Sequence, residues 1–297
     1  MLIFPLAALA AALTWAFAGI VSANPAKALG ALAFNRIRMV MVFAMLAAWT
    51  LVSGGWTTLS QGVAWPLILS GFIGIFIGDT ALFLTMNRLG PRRTAILFSL
   101  NAPMSVALGW LVLGEALQTQ TLLGIAITIG GVILAIVYGK RKDQLHNWEN
   151  VTGALWVGVL LGLAAALSQS VGALIARPIM ETGIDPVAAS MVRVGVAALC
   201  LLAIGFYPHK ALRPQTALTM PLIGQVALSG LLGMGVGMTL LLFALRGGEV
   251  GIITTLSATT PAMMLPILWW RTKQAPAAGA WAGAALVIIG SALIFNG

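Results

Sequence analysis

Few side chains here can do chemistry: the 297 residues hold 7 Asp and Glu, 16 Lys and Arg, 2 His and 1 Cys. Asp79 is the single acid set well inside a long apolar stretch, and Arg38 and Arg193 are bases set comparably deep. A charge in such a place costs several kcal/mol unless it is paired or faces water. Arg38 and Asp79 lie at similar distances from the same end of their apolar segments, so they share a depth and can pair. The pair is either a structural bridge between two helices or a gate or proton-linked switch. A proton-carrying Asp79 would make the protein's activity pH-dependent, and Asp79→Asn would remove that dependence. Arg193 has no obvious acid, because Met238 stands where a counterpart of Asp79 would be. A buried guanidinium needs an anion or carbonyl groups. Arg193 therefore meets a substrate carboxylate or helps open a path, or else backbone carbonyls or Glu115 satisfy it.

The histidines, His146 and His209, lie in short polar loops without a second ligand nearby and read as solvated. Cys200 sits in an apolar run, so neither a disulfide nor a cysteine metal site is expected. With no intramembrane histidine and one deep acid, the nucleophile–base pairs or metal ligands of an enzyme are missing, and neither a cofactor nor a metal is expected.

The remaining polar candidates fall near mid-segment: Thr14 and Trp15 with Ser168 and Gln169, Ser99 and Asn101 with Ser257 and Thr259, and Thr80 with Thr239. Hydroxyls in membrane helices can line a path, and they can equally bond one helix to another. Pro103 and Pro261 are expected in the middle of their helices, where a missing N–H and a ring clash free carbonyls and bend the axis. Such a bend serves as a hinge. Phe83, Phe98, Trp110 and Phe243 also fall inside segments, whereas Trp56, Trp65, Trp148, Trp156, Trp269, Trp270 and Trp281 sit near ends, as interfacial belts do. Trp15 at mid-depth either stacks on a planar or apolar solute or packs in the core.

Composition says what must position these residues. Hydrophobic residues are 60% and charged residues 8%, with a mean hydropathy of +1.01. A soluble domain carries about 25% charged residues, so the solvent is lipid. Cutting the apolar runs at Pro, Gly, Asn and charged clusters leaves segments at roughly 3–22, 31–52, 63–86, 92–113, 119–138, 151–176, 186–206, 220–244, 248–269 and 276–295. Each is near the roughly 20 residues that a spanning helix needs, and long uniform apolar runs point to helices and not to barrel strands. Val21-Ser22-Ala23 looks like a signal-peptidase site, but no positive region leads it, so the first segment is kept as a membrane helix.

The chain repeats itself. Ala11-Ala12-Leu13-Thr14 falls on Ala165-Ala166-Leu167-Ser168, and Arg38 on Arg193. Gly71, Gly74 and Gly78 fall on Gly230, Gly233 and Gly237; Ser99 and Pro103 on Ser257 and Pro261; Gly124 and Gly131 on Gly283 and Gly290. The expectation is an all-α polytopic membrane protein of ten transmembrane helices, built as a first five-helix repeat at 1–139, a basic connecting loop at 140–150 and a second repeat at 151–297. An odd number of spans per repeat inverts the second against the first. Inverted repeats with a site between them near mid-depth are the architecture of secondary transporters. Gly-x-x-x-Gly pairs such as Gly74 with Gly78 and Gly233 with Gly237 read as close-packing surfaces.

Basic residues gather on one face. Lys27, Arg36, Arg38, Arg88, Arg92, Arg93, Lys140, Arg141, Lys142, Lys210, Arg213, Arg271 and Lys273 fall in or beside alternate loops, against Arg177 and Arg246 on the other face. The net charge of +9 is thus a topology signal and not a nucleic-acid footprint. It places the basic loops in the cytoplasm and both termini outside.

These paired repeats, the arginine early in the second helix of each copy, the glycine-rich third helix, the Ser-x-x-x-Pro of the fourth and the Leu113-Gly114-Glu115 that closes it resemble the drug/metabolite transporter superfamily with two EamA-type repeats. General likeness is greatest to the YddG-type aromatic amino acid exporters. The second copy departs from the pattern, with Lys273 or Gln274 where Glu115 has its counterpart. The resemblance implies a multi-pass protein of the bacterial inner membrane, functional as a monomer, exporting amino acids or related small metabolites. A multidrug or lipid-linked metabolite transporter of the same fold is the alternative, and a membrane enzyme or channel the alternative of another class. No ATP-binding motif is present and there is no room for a nucleotide-binding domain, so direct ATP drive is not expected unless a partner supplies it; no ATPase subunit is evident, and facilitation, exchange and proton antiport all stay open.

Overall fold

The computed structural model describes residues 2–113, 118–138, 151–207, 212–247 and 250–296. Glu115, the connecting loop at 140–150 with His146 and Trp148, and His209 and Lys210 lie outside the described residues. Every regular element among those described is helical. Among the described residues, seven helices are long and apolar enough to cross a membrane, and Leu122–Leu134 and Ala278–Leu293 are shorter apolar stretches.

The chain opens with α1 (Ile3–Leu29) and α2 (Ala31–Ser53), joined by Gly30 alone. A one-residue reversal demands a positive φ, and Gly30 adopts 83° without a Cβ to clash. After a short turn come α3 (Gln61–Ser70), a π-helical stretch (Gly71–Ile77) and α4 (Gly78–Leu89), which run on as one apolar helix. Gly90, with φ 82°, turns the chain into α5 (Pro91–Phe98) and α6 (Asn101–Leu113), and α7 (Thr119–Tyr138) follows.

The second half repeats this order. It has α8 (Leu155–Glu181), α9 (Pro186–Gly205), α10 (Met220–Gly230), a second π-helical stretch (Leu231–Gly237), α11 (Met238–Leu245), α12 (Val250–Ser257), α13 (Thr260–Thr272) and α14 (Ala278–Asn296). Asp185 caps α9 by accepting a bond from the backbone N–H of Ala188 at 2.8 Å.

The helices pack mainly across the two halves. Helix α1 lies against α10, α11, α13 and the second π stretch, α8 lies against α4, α6 and the first π stretch, α2 pairs with α9, and α7 with α14. The largest core cluster accordingly mixes Ala11, Met39 and Ile75 with Ala173, Val194 and Met238. Small residues make this closeness possible: a Cβ on Gly71 would lie 2.6 Å from the carbonyl oxygen of Arg193, and one on Gly74 would lie 3.1 Å from the Cα of Gly172.

Two features differ from the uniform helices read from the sequence. The segments at 92–113 and 248–269 are each interrupted, at 99–100 and 258–259. Pro103 and Pro261 consequently stand in the first turn of a new helix, α6 or α13, and not in the middle of a bent one. That is where a missing N–H costs least, since the first turn has no intrahelical partner for it. The other difference is the pair of π stretches, where glycine-rich sequence winds wider to seat the arginine of a neighbouring helix; such local rewinding is frequent at functional sites.

Candidate functional site

A cavity of about 90 Å³ opens between the halves, enough for several waters or one small organic group. Its wall takes Trp15 and Gly19 from α1, Arg38 from α2, Asp79 and Phe83 from α4, Thr94 and Phe98 from α5, Gln169 from α8, and Met238 and Met264 from α11 and α13. No single half could form it.

Arg38 is anchored on three sides. Its Nη2 donates to Asp79 Oδ2 and, at 3.4 Å, to Asn35 Oδ1. Its guanidinium lies 4.4 Å from the ring centre of Phe83 and 5.9 Å from that of Phe34, and these rings meet edge to face at 4.8 Å. An aromatic face attracts a cation most strongly once water is removed, so this cluster holds the charge by carboxylate, amide and ring together. Asn35 continues the chain by donating to Thr80 Oγ1 at 3.5 Å. The glycine of the second π stretch, Gly233, gives Arg38 its room: a Cβ there would lie 3.2 Å from Nη1.

Trp15 faces this cluster from α1. Its Nε1 donates to the carbonyl of Gly233 at 2.9 Å, and its ring meets Phe98 edge to face at 6.2 Å. The π stretch thereby supplies the acceptor that fixes the indole. Gly237 must also lack a side chain, since a Cβ there would come within 2.5 Å of that Nε1.

Arg193 lies behind the cavity wall, 1% exposed. Its Nη1 donates to the sulfur of Met238 at 3.2 Å, and its Nη2 is flanked by Gly74 and Gly172. The Nε and Nη2 atoms have no hydrogen-bond partner among the described residues. Asp79 is within electrostatic reach of Arg193 as well as bonded to Arg38.

The other candidates fall outside the cavity wall. The hydroxyls of Thr14, Ser99, Ser257 and Thr259 donate to carbonyls three residues back, of Ala11, Ile96, Thr254 and Leu256. Thr239 donates to Ser190 Oγ at 3.2 Å, and Phe243 packs on Phe4 with ring centres 5.5 Å apart. Ser168 sits under Gly78, where a Cβ would be 3.1 Å from its own. Asn101 begins α6 at the helix break; its carbonyl accepts from Ser170 Oγ at 2.8 Å, while its side-chain amide is buried with no partner among the described residues. Of the residues singled out from the sequence, Trp15, Arg38, Asp79, Phe83, Phe98 and Gln169 share the cavity. Sequence reading passed over Phe34, Asn35, Met234, Met238 as a wall and Thr260. Only the glycine spacing of the third and eighth segments hinted that a neighbour's large side chain would dock there.

Apolar helices of spanning length packed around a cavity that carries buried charge and aromatic rings define a multi-pass membrane protein. The chain belongs to the EamA-like transporter family of the drug/metabolite transporter superfamily, which it matches over residues 2–137 and 156–296. No curated protein matches it. Among solved structures 27 chains match. One of these, a crystal structure described only as that of a protein, is 18% identical, covers 98% of this chain and 95% of its own, and superposes with a TM-score of 0.72. That likeness carries the fold alone.

Proposed function

We propose that this chain is a secondary transporter that exports amino acids, aromatic and other neutral ones, or related small metabolites, by alternating access through the cavity between its halves. The observation that carries the reading is the composition of that wall: Trp15, Phe83 and Phe98 give an apolar and aromatic lining beside the charged Arg38 and Asp79, with the polar Gln169 contributed by the other half. An amphiphilic solute of amino-acid size needs both surfaces.

The reading includes ten spans in two inverted five-helix repeats. Its support is the family match in two stretches of similar length, the repeated element order with its π stretches and helix breaks, and the exchange of α1 and α8 across the halves. Discontinuous helices near mid-span are characteristic of alternating-access proteins, and the breaks at 99–100 and 258–259 are matched in this way. Charge bias favours cytoplasmic basic loops and external termini, in a bacterial inner membrane, with the monomer as the functional unit. The general likeness to YddG-type exporters favours aromatic substrates.

The test is flux. Purified protein in liposomes loaded with a labelled amino acid panel, run with and without a pH gradient, is expected to release at least one aromatic amino acid faster than empty liposomes. No flux of any panel member would remove this substrate class and favour a multidrug or lipid-linked metabolite transporter of the same fold.

A further inference from the structure

Resting on the reading of the cavity as the transport path, we propose that Arg193 is a carboxylate subsite and that the Met238 side chain is its removable cover. The charge count motivates it. Among the described residues, two guanidinium groups, Arg38 and Arg193, are buried at this place against one carboxylate, Asp79, which is bonded to Arg38. An unpaired charge of this kind is costly to keep out of water, and a fold retains it at a loss unless some anion arrives to use it.

Among the described residues, the surroundings of Arg193 offer no anion of its own. Its acceptor is a thioether sulfur at 3.2 Å, a weak one, and two of its three nitrogens have no hydrogen-bond partner there. The flanking positions are Gly74 and Gly172, which bring neither charge nor bulk. Met238, in contrast, lies in the cavity wall while bonding Arg193 from behind. One side chain therefore touches both the guanidinium and the cavity. Methionine is unbranched, with several rotatable bonds, and a turn of its side chain gives up only a weak hydrogen bond to Arg193. The vacated sulfur position lies in hydrogen-bonding reach of Nη1, where a carboxylate oxygen can replace it with a charge-assisted bond.

A carboxylate fits better than a phosphate. It is singly charged, like the excess of one positive charge, and the guanidinium fork matches its plane. With the carboxylate at Arg193, the rest of the solute faces Trp15, Phe98 and Met234 across the cavity. Arg193 and Met238 then set specificity for the acid group, whereas the aromatic wall sets it for the body.

The experiment measures binding to the purified full chain in detergent with three probes: benzoate, benzamide and phenyl phosphate. Benzoate is expected to bind at least about tenfold more tightly than benzamide, the size of one bond to a charged group, and more tightly than phenyl phosphate. Met238→Asp places a carboxylate of the chain beside Arg193 and should abolish the preference for benzoate, as should Arg193→Gln. The wild-type comparison stands even where a variant fails to fold. Equal binding of benzoate and benzamide overturns the subsite, as does a benzoate preference that survives in folded Met238→Asp; tighter phenyl phosphate overturns the carboxylate assignment. Absence of amino acid flux together with preferred benzoate binding would remove the exporter reading and leave the subsite standing.

Discussion

The two halves solve one packing problem alike and one charge problem differently. In each, an arginine of the second helix lies on the glycine-rich π stretch of the other half: Arg193 on Gly71 and Gly74, Arg38 on Gly233 and on Gly230 just before the stretch begins. Beyond that the equivalence stops. Arg38 has a carboxylate, an amide and two aromatic faces, whereas Arg193 has a sulfur and two glycines. Close packing is a requirement of the fold and constrains both copies. The counter-charge is free to differ, and the copy without it is the one whose arginine is left for something else to meet.

The contrast is most vulnerable at Asp79. Asp79→Ala strands the Arg38 guanidinium and is expected to cost about 3–5 kcal/mol, a large fall in unfolding temperature in detergent. Arg193→Gln removes a charge that has no carboxylate of its own and should change stability by less than about 1 kcal/mol, or raise it. If both variants fall equally, the asymmetry between the halves is wrong. Transport tests the same difference: where wild-type flux follows a pH gradient, Asp79→Asn should lose that dependence, and its persistence would leave the pair with a purely structural role.

Glycine substitutions probe the shared feature. A Cβ at Gly74 would meet Arg193 Nη2 at 3.0 Å and the backbone of Gly172 at 3.1 Å, so Gly74→Ala must push the two helices apart and should cost about 1–3 kcal/mol. At Gly233 the nearest atoms are side-chain atoms, Arg38 Nη1 at 3.2 Å and Ala18 Cβ at 3.5 Å, with no backbone of another helix in reach, and Gly233→Ala should cost less. Trp15→Phe loses the bond to the Gly233 carbonyl and should cost about 1 kcal/mol. Thermal unfolding of each variant pair checks these orders.

Helix formation and the repeat were legible because both depend on near neighbours along the chain. Apolar runs of spanning length leave the backbone no choice but to close its own hydrogen bonds, and the matched glycines and arginines kept their order in both copies. Arg38 and Asp79 could be set at one depth by counting residues from one face, and their side chains do meet. Pairing of Thr239 with Ser190 was not legible, nor was the turning of the Thr14, Ser99, Ser257 and Thr259 hydroxyls to their own helices. A hydroxyl in a membrane helix has its own carbonyls three and four residues back within reach, and sequence does not say which acceptor it takes.

By itself the sequence determined the solvent, the helical class, the duplication and the scarcity of charge, since hydropathy and spacing are properties of the chain read along its length. Tertiary structure decided which helix of one half docks on which of the other, where the helices break or widen, and that Met238 both lines the cavity and accepts from Arg193. Those outcomes depend on close approach between segments far apart in the chain, where a missing Cβ or one long side chain settles the fit, and no local pattern records it.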